Sequence, residues 1–417
     1  METDASERRR VFFENAAGSL VLQRAVDAEC KARRDYFPNI EEASWESKMN
    51  ENTILEGRKA VRDFLNARDE NCVLSGESAT SLLFHLSYAL SKEISPDENV
   101  VTTEYDHYSN ISPWLELERR GFIKEVRFAK FNPEDGELDV AHLASLIDKN
   151  TRVVAVTGVS NALGSKTPVA KVFALAKEVG AYAVLDAVHM APHVAIDIDK
   201  LGCDFVVFSA YKLFSRRGSF MYGRRDLLED LEPYKVELCP NYLPKRWEWG
   251  TRDQALFASI TAVMDYLSWL GGEVEGEVSN KVSEYSGRER LLKAALSWIE
   301  GYEGRLGKAM LDGTENTAGM RTMSGIDLYG LKDTARVHQR TPTFSFNVRG
   351  VPAKRVAEHL WEMHGVVVIG DDFYSRALKT YSQSLAVRAS LVHCNTVSEV
   401  EMFLNALAET VKHFNAE

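Results

Sequence analysis

Five polar clusters in this chain each follow directly on a short apolar run. Val73-Leu74 leads into Ser75-Gly76-Glu77-Ser78-Ala79-Thr80, and Val100-Val101 into a stretch holding Asp106 and His107. The β-branched run 153–156 leads into Thr157-Gly158-Val159-Ser160-Asn161. Residues 182–185 lead into Asp186-Ala187-Val188-His189, and 205–208 into Ser209-Ala210-Tyr211-Lys212. A loop of small residues that opens a helix can cradle a phosphate on backbone N–H groups. A buried carboxylate favours a neighbouring positive charge. A lysine amine in a partly desolvated site is a nucleophile and a base. Each cluster alone has a plainer reading: Ser78 and Asp186 as helix caps, Lys212 as a solvated lysine, His107 and His189 as structural histidines. Their repetition after successive strands is what points to one site.

The elements that must position them alternate in period. Helical spacing covers 55–67, 78–90, a stretch through Trp114 and Leu117, 140–147 and 169–179. Short strands are expected at 73–74, 100–101, 126–128, 153–156, 182–185, 205–208 and 219–222. Such alternation implies right-handed crossovers and a mostly parallel sheet covered on both faces. Ligands of such sheets sit at the carboxyl ends of the strands, where the five clusters fall. Beyond about residue 265 the texture changes. Helices are expected at 255–270, 282–299, 356–364 and 397–414, with strands at 343–348, 366–369 and 386–390. This reads as a smaller α/β domain, entered through an ordered loop at 239–252.

Composition narrows the function classes. The 417 residues carry a formal net charge of -11, which argues against a nucleic-acid or anionic-membrane partner. Five scattered cysteines form no CxxC pair or zinc-like spacing, so free thiols in a reducing compartment are expected and no metal site is assigned. No apolar run is long enough for a signal peptide or a membrane span, which makes the cytoplasm the expected location. Neither GxxxxGK[ST] nor GxGxxG occurs, which disfavours a nucleotide-binding protein.

Taken in order, a phosphate loop, a histidine, Asn, Asp and Ser-x-x-Lys resemble the class V aminotransferase group of fold-type-I pyridoxal 5′-phosphate (PLP) enzymes, within it the cysteine-desulfurase-like branch. The likeness runs over nearly the whole chain. It is carried by Asn15-Ala16-Ala17-Gly18, His107 with Asn110 and Pro113-Trp114, Val159-Ser160-Asn161 with Gly164, Glu248 with Gly250-Thr251, and Val387-Arg388-Ala389-Ser390 with Asn395-Thr396 and Glu399. It implies a mostly parallel seven-stranded sheet in a large domain, 20–265, and a small domain formed by 1–19 and 266–417. It implies PLP held as a Schiff base on Lys212, with Asp186 at the pyridine nitrogen and His107 on the ring face. Asn161 and His189 would lie near the phenolic oxygen. Phosphate would lie on Ser78 and the N–H groups of Glu77 and Ala79, with Ser209 and Tyr211 nearby. Thr251 would reach the neighbouring site across a homodimer interface. Arg388 would bind the α-carboxylate of an amino-acid substrate in a bidentate contact, with Asn15 and Ala17 on the substrate side.

Three departures bear on function. His189 stands where the family usually has Gln, and Tyr211 where it often has His. The region that carries the catalytic cysteine of desulfurases reads Gly370-Asp371-Asp372-Phe373-Tyr374-Ser375-Arg376-Ala377-Leu378, with no Cys. It resembles instead a subgroup with a Gly-x-x-Phe-Tyr segment, and Tyr374 and Arg376 become candidate substrate contacts. The expected activity is a PLP-dependent lyase that passes through an external aldimine and a Cα carbanion to β-elimination, of which C–S cleavage is one form. Decarboxylation with carbon–carbon bond formation, epimerisation and transamination need the same residues. A catalytically inactive scaffold is the non-enzyme alternative, and the retention of Lys212, Asp186 and Arg388 speaks against it.

Overall fold

The computed structural model describes residues 10–35 and 38–416. The start of the segment expected to join the small domain, residues 1–9, lies outside the described residues. A seven-stranded sheet runs in the order Val73–Gly76, Ser219–Gly223, Phe205–Ser209, Tyr182–Asp186, Thr151–Thr157, Asn99–Thr103, Glu125–Ala129. The last five pair in parallel, and only Ser219–Gly223 runs against its neighbours. The expected α/β architecture with a mostly parallel sheet is therefore what the chain adopts.

The central strands are buried on both faces. Val153, Val154, Ala155, Val156, Ala183, Val184 and Leu185 are fully inaccessible to solvent. Each large aliphatic there contributes about 1.5–3 kcal/mol over its exposed state, and this anchors the sheet whose polar ends carry the chemistry. Local signals set the helix starts. Ser78 caps the helix Ala79–Leu90, its hydroxyl accepting from the Ser81 N–H at 3.1 Å, and Ser81 reciprocates.

A second, antiparallel sheet holds Ile326–Leu328, Thr343–Val348, Ala386–Ser390 and Ile369–Asp371 in that order. The expected strand at 366–369 divides in two. Val366–Val367 pairs with Val11–Phe12, while Ile369–Asp371 turns to pair with Ala386–Ser390. The helix expected to stop at residue 270 runs through Gly271-Gly272 as Gln254–Val282. A Cβ on Gly271 would lie 1.9 Å from the Leu291 carbonyl oxygen, so this glycine permits close packing on the helix Gly287–Asp312 instead of ending its own. Gly164 plays a related part where the turn after Asn161 meets the second sheet. It sits at φ +74°, and a Cβ there would lie 2.7 Å from the Thr343 carbonyl oxygen. The five cysteines are unpaired, and no helix among the described residues is long and apolar enough to cross a membrane.

Candidate active site

The carboxyl ends of the parallel strands meet in a cavity of about 120 Å³ lined by Ser78, Ala79, Thr80, His107, Asn161, Asp186, His189, Ser209, Tyr211 and Lys212, among others. It adjoins a more open cavity of about 590 Å³ that adds Ala17, Asp371, Phe373, Tyr374 and Arg388. Residues that fall on five separate strands and loops in sequence thus share one space.

Lys212 ends the single turn Ala210–Lys212 that follows the strand Phe205–Ser209. Its amine is buried and donates to the Ala16 carbonyl oxygen. Burial, reinforced by the Arg388 charge and opposed by Asp186, pulls its pKa down to about 7. Asp186 ends its strand with Oδ1 accepting from the Val188 N–H at 2.9 Å. Burial pushes this carboxyl up to about 6, against the Val188 hydrogen bond and the Lys212 charge. His107 caps the helix Tyr108–Arg119, its Nδ1 accepting from the Ser109 N–H at 3.0 Å. Burial, with Lys212 and Arg388, holds its pKa near 3, so the ring is neutral.

Arg388 lies in the middle strand of the second sheet, opposite Ser345 on one side and Ile369 on the other. It donates to the Asn161 carbonyl at 3.1 Å, and its guanidinium sits 4.5 Å from the Phe373 ring centroid. Burial draws its pKa down to about 10, with Glu14 and Asp371 nearby opposing. Asn161 Nδ2 donates to the Phe373 carbonyl at 2.9 Å, and the Tyr108 N–H donates to the Tyr374 carbonyl at 2.8 Å. Phe373 and Tyr374 both hold positive φ, 59° and 50°, a conformation that costs non-glycine residues of order 1 kcal/mol each. These two hydrogen bonds hold them there. The Tyr374 ring stacks beside His107 at 5.9 Å while remaining 65% exposed.

Some expected contributors lie elsewhere. Arg376 is not among the residues lining either cavity; its guanidinium sits 3.8 Å from the Phe128 ring centroid. The Asn15 amide is engaged as a clasp, donating to the Ser390 carbonyl at 2.9 Å and to Asn395 Oδ1 at 3.3 Å. The Glu77 side chain is exposed, and what was expected of this residue concerns its N–H, just before the helix cap Ser78. Thr251 is exposed and lines a different cavity, with Gly250 and Arg252. The nearby Glu248 pins this loop to the sheet edge, accepting from the Ser75 N–H at 2.7 Å and from Arg58 at 2.6 Å. Sequence reasoning gave no role to the Ala16 carbonyl, Thr80, Thr157, Thr343 or Phe373, although Phe373 stands in the Gly-x-x-Phe-Tyr segment. Of these, only Thr80 and Thr157 stand inside clusters that the strand ends marked.

The site suits an anionic aldehyde cofactor with a basic ring. The N-terminus of a twelve-residue helix faces the cavity with hydroxyls of Ser78, Thr80 and Ser209 around it. A buried carboxyl and a buried amine lie in the same space. Asn161 Oδ1 and Arg388 Nε are buried without a hydrogen-bond partner among the described residues, which a bound ligand would satisfy.

The family model for Aminotransferase class-V matches residues 11–295. This chain belongs to that family. A cysteine desulfurase of Pectobacterium carotovorum subsp. carotovorum is 31% identical over 292 residues, 66% of this chain and 71% of its own. The aminotransferase-like protein FGM3 of Gibberella zeae is 28% identical over 418 residues, covering 97% of this chain and 95% of its own. Among solved structures, the apo cysteine desulfurase of Thermococcus onnurineus superposes with a TM-score of 0.84 at 24% identity, covering 97% of this chain and 95% of that one. The class-V member described here is a PLP-dependent enzyme of the fold-type-I architecture.

Proposed function

We propose that this class-V enzyme is a lyase acting on an L-amino acid, removing the Cα proton and expelling a β-substituent, with a carbon–sulfur bond as the bond broken. When bound, PLP supplies an aldehyde that captures the substrate amine and a protonated ring that accepts electron density from Cα. Lys212 would hold the aldehyde carbon before substrate arrives and, once released, would take the proton at Cα. Its amine is neutral enough for both tasks because burial lowers its pKa to about 7. Asp186 would keep the ring nitrogen protonated, and a cation there would in turn draw down the carboxyl that burial has raised. His107, neutral and flanked by Tyr374, would cover one ring face. Arg388 receives the substrate α-carboxylate, and Phe373 and Asn161 fix the guanidinium plane.

The observation that carries this reading is the convergence of Lys212, Asp186 and Arg388 on two adjoining cavities. Persulfide-forming desulfuration is disfavoured, since residues 370–378 contain no cysteine. Cys394 sits at His393 and lines another cavity, and burial raises its thiol to about 11. The same reading joins two copies of the chain into a dimer in which Thr251 serves the neighbouring site. Its support is that Thr251 is exposed and apart from its own lysine, beside the exposed Val236, Leu238 and Tyr242. It also divides the chain at about 265, with 1–19 joining the small domain, supported by the pairing of Val11–Phe12 with Val366–Val367.

The test is product analysis of the PLP-loaded enzyme with L-cysteine, S-substituted cysteines and L-aspartate. Release of thiol, pyruvate and ammonium in equal amounts supports the lyase reading. Inversion at Cα, carbon dioxide release, or an oxo acid that keeps its β-substituent contradicts it.

A further inference from the structure

The helix Gly287–Asp312 carries one carboxylate into the interior next to the site. Glu303 is 2% exposed, on the same buried face as Ile299, Leu306 and Met310. A carboxylate in such surroundings is destabilising unless a specific partner offsets its desolvation. Its partner is His193, whose Nδ1 lies 2.7 Å from Glu303 Oε2 and is itself buried. With the carboxylate as acceptor, His193 donates through Nδ1.

His193 and His189 belong to the same turn that follows Asp186. The Met190 N–H donates to the Ala187 carbonyl at 3.1 Å, and the His193 N–H donates to the Met190 carbonyl at 3.0 Å. The two imidazole rings meet edge to face, with centroids 4.9 Å apart at 73°. On its other side His189 Nε2 is hydrogen-bonded to Thr343 Oγ1 at 3.0 Å. His189 itself lines the Lys212 cavity. Its ring is therefore held by Thr343 through one nitrogen and by His193 against its face or edge. Nδ1 is left as the nitrogen without a partner among the described residues.

We propose that Glu303 is a positioning residue for the cofactor site, acting through His193 on the orientation of His189. Glu303 touches neither cavity, so its influence on the cofactor passes along Glu303, His193 and His189. The inference rests on the cofactor site and not on the C–S lyase reading; either can fail while the other stands. Burial raises the Glu303 pKa against His193, Lys166 and a hydrogen bond from the His393 main chain. The His393 ring faces His193, the Cys394 thiol faces Glu303, and His193, Lys212 and Arg388 surround His189.

The experiment is a double-variant cycle read by the visible absorption of the PLP-loaded enzyme during pH titration, without substrate. Glu303→Gln keeps the side chain's shape and removes its charge. It is expected to move the titration midpoint by about half a pH unit or more in the parent background. In the His189→Gln background the same change is expected to move it by no more than about 0.1 pH unit. Equal shifts in the two backgrounds, or no shift in either, overturn the proposal. A purely structural role would lower the thermal midpoint in both backgrounds and leave the titration where it was. Should Glu303→Gln fail to yield folded protein, His193→Gln takes its place in the same cycle with the same expected and contrary outcomes.

Discussion

The Lys212 amine donates to the main-chain carbonyl of Ala16, a residue 196 positions earlier in the chain. Ala16 follows directly on Asn15, whose amide is clasped to the Ser390 carbonyl, two residues beyond Arg388. The Ala16 N–H also donates to Ser390 Oγ at 2.7 Å. One short segment thus ties the lysine to the strand that carries the arginine, and the two groups proposed to act on an amino-acid substrate are set by a common brace.

Burial sets the reactivity of that lysine. Because its pKa is drawn down to about 7, the neutral amine predominates above that pH. The second-order rate of PLP uptake by the cofactor-free chain should rise through about pH 7 and level off above about pH 8. Stopped-flow absorbance measures it. A rate still climbing toward pH 10 would show a solvated lysine.

Asp186 couples the site to stability. Its folded-state pKa is raised to about 6 from 3.8, so the cofactor-free fold loses stability as pH rises from about 4 through 6 and is destabilised in full above that range. Asp186→Asn should therefore stabilise the cofactor-free chain by ~1–3 kcal/mol at pH 8, with the gain vanishing toward pH 4. With PLP bound the order should reverse, since the variant loses the partner of the ring nitrogen. Denaturant melts at the two pH values, with and without PLP, check both signs.

Arg388→Ala should raise the KM for the amino acid by about two orders of magnitude and leave the cofactor attached. Arg388→Lys should restore little, because an ammonium cannot make the bidentate contact or stack on Phe373. Loss of PLP in the alanine variant would assign Arg388 to the cofactor instead.

The segment after Gly370 separates two neighbours. Tyr374→Ala should raise KM severalfold with little change in thermal midpoint, because the ring is mostly exposed at the cavity mouth. Arg376→Ala should leave KM within about twofold and cost about 0.5–1 kcal/mol of stability through the lost contact on Phe128. Steady-state kinetics and melting curves on the two variants distinguish the roles.

Much of this site is written locally. Buried strands announce themselves by short β-branched runs, and the few residues after each run land at the ligand-binding edge, so the clusters holding Asp186, Asn161, Ser209 and Lys212 were legible from position, while the role of each residue came from the resemblance. Arg388 was legible only by resemblance, since a lone arginine within an apolar strand has no local mark. The Ala16 carbonyl and Thr343 were not legible, because their place depends on how the second sheet and the N-terminal segment lie against the first. The length of the helix Gln254–Val282 was not legible for a related reason. Glycine in a helical stretch reads as a stop, while here it serves the close approach of the Leu291 carbonyl. The single run 366–369 likewise gave no sign that its two halves pair with different strands.

The central claim is that Lys212 holds the cofactor, and borohydride reduction of the PLP-loaded enzyme followed by peptide mass mapping tests it most directly. The account predicts one reduced pyridoxyl adduct per chain, on the peptide containing Lys212, and none in Lys212→Ala. An adduct on another lysine, or none in the parent enzyme with PLP bound, would contradict it.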